Sequence, residues 1–526
     1  MQKAALEGEA ANCRMGDAAE EPSPALSALG LGSTAVRQIT DRDFITERAV
    51  GEEPDGDLLG PVGHSPQQDE APNDPSLDYI DPTLLFPCDS DIWLDNLDST
   101  EEQGLLGAFL SPLPSPDLLS ARLELLGSQL AAHAGTWRMS FDHDLFRHFF
   151  SLSNVNAFAM TFCRKRHYQF TLIHWPTFSL EDTSLPLLIA VALTGATYSF
   201  HSENGSQHIG IARRFYQLAD SYVFHRLKTY ADNDPASVVM TEAVEACQAG
   251  ILMYGINELQ RGNSAVHFTT NSERLPALAA AMRRLHLIDC RHDPLEDWPL
   301  FLQREHIIRL VSWTYCADCL ATLTYNKPPI FSLLEMTGDL PCDPTLWDGD
   351  PNMALEAMKS SQPVTSRCIK DLTSQLLRGT VNVDGEWDSI PLFHLQAVMC
   401  GKPPSKPRCF TKAWLVEGAN TMGGEAIQHV IFNHHVTLSL ASQSANLLKA
   451  LETWRRLSNR ATDQLSENHR KYIGVARHVP GIAYLCKRII EVSVGPAAGS
   501  SRYLQRVPSY TALELHEFIK EFVPRS

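Results

Sequence analysis

From Ala49 to Ala121 the chain has no lysine and no arginine. The first 135 residues carry 25 Asp and Glu against only 6 Lys and Arg, so this stretch accounts for the whole net charge of −18. Self-repelling acids and frequent prolines oppose collapse, and the reading for residues 1–135 is a disordered acidic arm. Also missing is an apolar run long enough to cross a bilayer, since Leu185 to Ala196 falls short of the ~20 residues required. The N-terminus lacks a basic start followed by an apolar core, so no secretory signal is read and no membrane partner is expected. The 12 cysteines form no paired framework and read as reduced intracellular thiols. Excess acid argues against a nucleic-acid surface on the chain as a whole.

Catalytic signatures are absent as well. There is no G-x-S-x-G elbow, no P-loop and no H-E-x-x-H. Gly30-Leu-Gly32 imitates a dinucleotide fingerprint only loosely, with no preceding strand. The C-x-x-C at Cys316 and Cys319 lies in a predicted helix without two further local ligands. His429 and His434 are five apart, about 140° around a helix, so they cannot share a metal as i,i+4 ligands do. No catalytic, cofactor-binding or metal residue is assigned, and no cofactor is expected in this chain.

Strand patterns are also lacking; Gly379 to Gly385 is the one strand-like fragment. What is present is helical periodicity. Asp117 is read as the N-cap of a helix to His133, with Leu118, Leu119, Leu123, Leu125, Leu126 and Leu130 as a wide apolar stripe. From Phe141 onward the period is helical almost everywhere, over 142–150, 185–200, 210–225, 238–254, 265–285, 302–323, 356–377, 426–457, 466–494 and 511–523. Residues 185–200 are apolar nearly all round and read as a buried helix, whereas 466–494 is expected to break or kink at Pro480. The expected fold is all-α: a large multi-helix body over 140–526 behind the arm. Basic residues cluster at Arg164 to His167 and at Lys402 to Arg408; the first run is a weak import signal that reads better as a solvated helix end.

Within the arm, acids alternate with bulky apolar side chains: Phe86, then Asp91-Ile92-Trp93-Leu94-Asp95-Asn-Leu97-Asp98. This is the pattern of an amphipathic segment that folds on a partner. Phe86, Ile92, Trp93, Leu94 and Leu97 are the candidate activation contacts, with the transcription machinery or a co-activator as partner.

An ordered series of motifs resembles one family. Phe170-Thr-Leu-Ile-His174-Trp-Pro176-Thr-Phe178 precedes Leu185-Pro-Leu-Leu-Ile-Ala-Val-Ala-Leu-Thr-Gly195-Ala196. Then come Cys247-Gln248 to Leu252, Arg283-Arg284-Leu285-His286-Leu287, the set Trp298, Glu305, Arg309, Trp313 and Asp318, and finally Pro341 and Trp347. In this order they resemble the fungal-specific transcription factor domain, the helical middle region of fungal zinc-finger regulators, most strongly over 146–350. His286 replaces the family's usual glycine. The resemblance implies a nuclear regulator, with control of a metabolic or secondary-metabolite pathway as its range and a homo- or heterodimer as an allowed state. The named positions, His174, Pro176, Phe178, Glu305, Arg309, Trp313, Asp318, Pro341 and Trp347, are expected to be structural. Glu305 and Arg309 form an i,i+4 pair worth only ~0.2–0.5 kcal/mol on an open helix. Buried Asp318 requires a cation or backbone donors, and His174 reads as a capping or core residue.

The zinc module that usually reads DNA in this family is lacking. Only Cys13 and Cys88 precede residue 150, too few for any zinc site. Zinc enters only if such a module lies upstream, and DNA contact is expected through it or through a partner protein. A co-regulator without autonomous DNA binding is the alternative. A helical terpene-cyclase-like enzyme is the catalytic rival: Asn233 and Ser237 imitate part of its metal motif. However, Thr241 holds the third position, Glu242 comes one residue late, and no DDxxD cluster exists.

Overall fold

The computed structural model describes residues 115–526 except 166, 168–169, 200–203, 234–237, 258–263, 294–296, 350–366, 382–386, 388–389, 401–436, 467–473, 475, 477–478, 506–511 and 524–526. Among the described residues there are helices and turns but no strand, as the periodicity requires. The chain divides into Met1–Ala71 and Pro72–Ser526, and every described residue belongs to the second unit. The candidate activation contacts Phe86, Ile92, Trp93, Leu94 and Leu97 lie outside the described residues, as do His429, His434 and the 402–408 run.

The body begins earlier than composition indicates. Helix α1, Pro116–Trp137, falls within the span read as disordered arm, yet Leu119, Leu123, Leu126 and Leu130 are buried in the main core. Burial of that apolar face outweighs the acid-rich local composition. Its N-cap is Ser115 rather than Asp117, with Pro116 at the first helical position, where its missing N–H costs nothing. Helix α2, His143–Phe149, is capped by Asp142, whose side chain accepts from the Leu145 N–H at 2.9 Å.

Helix α3, Leu152–Lys165, crosses α4, Leu185–Thr197, and every residue of α4 is buried. Gly195 makes the close crossing feasible, because a Cβ there would overlap the backbone carbonyl of Phe158. Two long helices flank α4: α5, Gly205–Asp232, and α6, Met240–Gly255. The helix expected over 265–285 is interrupted. Short α7, Ser264–Thr269, passes through a π turn at Thr270–Arg274 into α8, Leu275–Arg284. Pro276 lacks the N–H an α-helix would use there, and the Leu275 N–H reaches Thr270 O instead.

Helix α9, Trp298–Tyr325, is the long strut of the second half. After it come α10, Pro344–Trp347, α11, Ile369–Arg378, and α12, Leu392–Cys400. Next are α13, Thr437–Asp463, α14, Val479–Ser493, and α15, Leu513–Phe522. The break expected near Pro480 is present: α14 begins at Val479, so Pro480 sits in its first turn, where proline is tolerated. The Trp454 indole N–H donates to Leu395 O at 2.8 Å and fixes α13 on α12.

Alpha8 ends in a left-handed residue that is not glycine. His286 has φ 54°, its N–H reaching Arg283 O and the Leu287 N–H reaching Met282 O. This is the Schellman pattern, which normally recruits glycine because a Cβ is strained there. His286→Gly should therefore stabilise the protein by about 0.5–1 kcal/mol, after allowing for glycine's greater freedom when unfolded. Gly195→Ala should have the opposite sign and a larger size, about 2 kcal/mol or more, because rigid backbone must shift. Denaturant unfolding of the two variants beside the parent checks both signs.

Candidate functional site

The N-terminal half of α9 carries Glu305, His306 and Arg309. The 3.6-residue turn places Glu305 and Arg309 one above the other, and here that face is inside the protein. Their side chains are 0% and 1% exposed, with Arg309 Nε 2.7 Å from Glu305 Oε1. Three chain segments complete the set. From the extended stretch before the Trp175–Thr177 turn, Thr171 accepts from Arg309 Nη1 at 2.6 Å (Oγ1) and 3.2 Å (O). From the loop before α10, Cys342 O accepts from Arg309 Nη2 at 2.8 Å, and the Cys342 N–H donates to Glu305 Oε1 at 2.8 Å. From the loop after α8, His292 Nε2 meets Glu305 Oε2 at 2.8 Å.

Aromatic rings close the site. The Arg309 guanidinium lies 4.4 Å from the Trp347 ring centroid, a cation–π contact strengthened by the loss of water. Trp347 is itself edge-on to His174 at 4.7 Å and to His306 at 5.0 Å. His174 Nδ1 meets Thr177 Oγ1 at 2.8 Å, which ties the ring to its own turn. His394 Nε2 donates to Pro341 O at 2.8 Å and braces the 340–342 loop from α12.

The electrostatics follow from burial. Desolvation alone would raise the Glu305 carboxyl, but the Arg309 charge, with His292 and the Cys342 N–H, brings it below the usual range. Burial likewise opposes charge on Arg309, and Glu305 outweighs it. The pair is ionised. Burial pushes His174 down to about 3, with His306 adding to the effect, and His394 down to about 4, so both rings are neutral. The nearby thiol moves the other way: burial, then Glu305, raise Cys342 well above its ordinary value, the opposite of an activated nucleophile. Cys316 and Cys319 are buried, and among the described residues no group of three His, Cys, Asp or Glu is placed to hold a metal. The arrangement's chemistry is positional: a dry ion pair that fastens three loops to one helix.

His174, Glu305, Arg309, Pro341 and Trp347 thus come together. Pro176 and Phe178 flank them, Phe178 stacking on Trp175 at 5.2 Å. Trp313 is apart, packed on Phe170 at 4.3 Å. Asp318 sits farther along α9, where Oδ2 accepts the Ile330 and Phe331 N–H groups at 2.8 and 2.9 Å. Backbone donors, the second of the two partners its burial demanded, satisfy it. The solvated-end reading of Arg164 to His167 needs correction: α3 does end at Lys165, but His167 is buried against Asp348 at 3.0 Å. The exposed-helix value for Glu305 and Arg309 is also overturned, because both charges are out of water. Thr171, His292 and Cys342 were not singled out in the sequence. Thr171 and Cys342 lie inside the quoted motifs, but His292 carries no periodic signal.

The helical architecture and this network coincide with a known domain. The model of the fungal specific transcription factor domain matches residues 159–465, more than half of the chain. The chain belongs to that family. The match runs past the motif-bearing 146–350 span into α13, so α11 to α13 are part of the same domain. Among curated proteins, the chain is similar to "Transcription factor verF" of Penicillium polonicum, 24% identical over 200 residues. That alignment covers 36% of this chain and 27% of the relative, so the chain spans about a quarter of the relative's length. No solved structure matches.

Removing one partner of a buried pair strands the other charge. Glu305→Gln and Arg309→Met should each destabilise the protein by about 3–5 kcal/mol, the double variant by clearly less than the sum. Denaturant midpoints at constant slope measure this, and costs under ~1 kcal/mol would mean the pair is not buried in solution.

Asp318 generates a pH prediction. Burial, opposed by the two N–H donors, raises its carboxyl from 3.8 to about 7. A carboxyl raised in the fold contributes most below its unfolded value and loses that contribution as pH climbs to the folded value. Asp318→Asn retains an acceptor oxygen and removes the ionisation. Relative to the parent, its stability should improve steadily between about pH 4 and 7 and level off above. A pH-independent difference in unfolding free energy would show that Asp318 does not titrate in this window.

Proposed function

We propose that this chain is a transcriptional regulator of the fungal type, acting in the nucleus on genes of a metabolic or secondary-metabolite pathway. The observation that carries the reading is the family match over 159–465, which falls on the helical body built around the Glu305–Arg309 pair. The relative's description as a transcription factor agrees with it. In this reading the body regulates, and the acidic segment before it recruits the transcription machinery or a co-activator. DNA is reached through a zinc module outside these residues or through a partner protein, because Cys13 and Cys88 cannot form one. A gel shift with the purified chain tests that point: specific duplex binding by these 526 residues alone would overturn it.

The recruiting role is assigned to Phe86, Ile92, Trp93, Leu94 and Leu97, with Asp89, Asp91, Asp95 and Asp98 keeping them solvated. In a short helix Trp93 and Leu97 share a face with Leu94 beside them. Apolar anchors carry most of the energy of such contacts, and charges act mainly on encounter. Residues 75–115 fused to an unrelated DNA-binding domain should activate a reporter. Replacing Phe86, Trp93 and Leu97 together by Ala should abolish activation, whereas single Asp→Asn changes should only weaken it. A silent fusion, or an alanine triple variant as active as its parent, removes the assignment.

A further inference from the structure

Where α1 packs against α5, two histidines come side by side. The rings of His133 on α1 and His225 on α5 have centroids 5.3 Å apart. Two imidazoles on one tetrahedral ion, each bound at a metal–nitrogen distance of about 2.0–2.1 Å, stand ~5 Å apart at their ring centres. The spacing is that of a ligand pair. The helices hold it in place. His133 Nε2 meets Ser221 Oγ at 2.9 Å, and one turn earlier Gln129 Oε1 accepts from the Tyr222 hydroxyl at 2.5 Å. Ser221 and His225 are one turn apart on α5, so the hydroxyl that orients the first ring shares a face with the second ring. With the Nε2–H donated to Ser221, His133 has Nδ1 left to bind, and among the described residues nothing bonds to that nitrogen. The exposed His225 ring makes no hydrogen bond there either, and neither ring is paired with a carboxylate among the described residues.

We propose that His133 and His225 form a site for an exchangeable transition-metal dication, which clamps the end of α1 to α5. The donor set selects the class of ion. Imidazole nitrogens suit nickel, copper and zinc, whereas magnesium and calcium require oxygen ligands. At neutral pH an imidazole is mostly uncharged, the form that binds a metal. A hydrogen bond from the other ring nitrogen is the usual companion of a ligating histidine, and Ser221 supplies it to His133. Two protein ligands are fewer than the three or four of a resident zinc site, so water fills the remaining positions and the ion exchanges. A natural reporter stands beside the pair. The Trp137 ring centroid is 5.9 Å from that of His133 and 6.1 Å from that of His225, so a bound ion lies close to an indole. The inference stands independently of the regulatory reading.

Nickel added to the purified full chain, freed of metal beforehand, tests it. Tryptophan emission should fall saturably as Ni²⁺ rises, and the denaturant midpoint should increase at constant slope. His225→Gln changes an exposed side chain and removes one ligand, so both responses should need about tenfold or more nickel. Ser221→Ala retains both ligands and loses only the orienting bond, which should weaken binding by about tenfold. Trp137→Phe separates this site from nickel held at other histidines: the midpoint increase should remain while the emission change is lost. Mg²⁺ in place of Ni²⁺ should produce neither response. A parent whose midpoint does not respond to nickel, or responds no more than His225→Gln does, overturns the proposal. So does an emission change of full size in Trp137→Phe, because the ion would then lie elsewhere.

Discussion

Removing two full charges from water is the constraint around which the second half of this body is arranged. Each ion of a pair like Glu305 and Arg309 loses several kcal/mol of hydration, recovered only if the geometry is close and the remaining lone pairs and N–H groups find partners. Arg309 uses Thr171 and Cys342, while Glu305 uses Cys342 and His292. These partners come from loops before and after α9, one of them 138 residues away in sequence. The pair is therefore favourable only when all three loops have arrived, which couples their positions to one another. An apolar substitute at both sites would fill the same volume without that coupling.

That dependence explains what could be read beforehand. Alpha4 was legible as buried because all but two of its thirteen residues, Thr194 and Thr197, are apolar, and burial needs no other information. Glu305 and Arg309 sit in Gln303-Arg-Glu-His-Ile-Ile-Arg309, a string that reads as a solvated surface. Nothing local distinguishes it from an open helix, since the covering groups lie at residues 171, 292, 342 and 347. Motif resemblance marked the positions but carried no geometry. At α1 the leucine periodicity was legible and the boundary was not: composition averaged over 135 residues put within the arm a helix that packs against α2 and α5. The limit applies to His286 in reverse: the departure from glycine was visible, and the left-handed backbone shows what the departure costs.

Charge is held steady at one part of α9 and is variable at another. His174 and His394 near the ion pair have their titrations pushed to about 3 and about 4 by burial, far below neutrality. Those two rings thus stay neutral over the range in which a cell operates. Asp318, at about 7, is different, and its two partners are the backbone N–H groups of Ile330 and Phe331 in the turn that leaves α9. Ionisation strengthens those two hydrogen bonds while raising the desolvation cost of the carboxylate. The balance decides how firmly the 330–335 turn is held, and Arg283 at the end of α8 shares that turn through Glu335 and Ile330 O.

The far end of α9 then explains why the C-terminal helices belong to the same body although the family match stops at 465. Asn326, left-handed at the α9 C-cap, donates to Tyr503 O at 2.8 Å, and the Tyr503 hydroxyl donates back to Leu323 O at 2.7 Å. Helix ends leave carbonyls without intrahelical partners, and here a side chain from the C-terminal segment supplies a donor. Tyr503 is also core to a separate apolar cluster of Leu485, Ile489, Leu504, Leu515 and Phe518, against which Leu323 packs. Alpha9 is consequently fixed at one end by ionic contacts to the first half and at the other by this reciprocal cap. A displacement of either end must be transmitted along a helix whose middle, from Ile308 to Ser312, is continuously buried. Such a helix moves as a rod or not at all, because a close-packed interior offers no room for gradual bending.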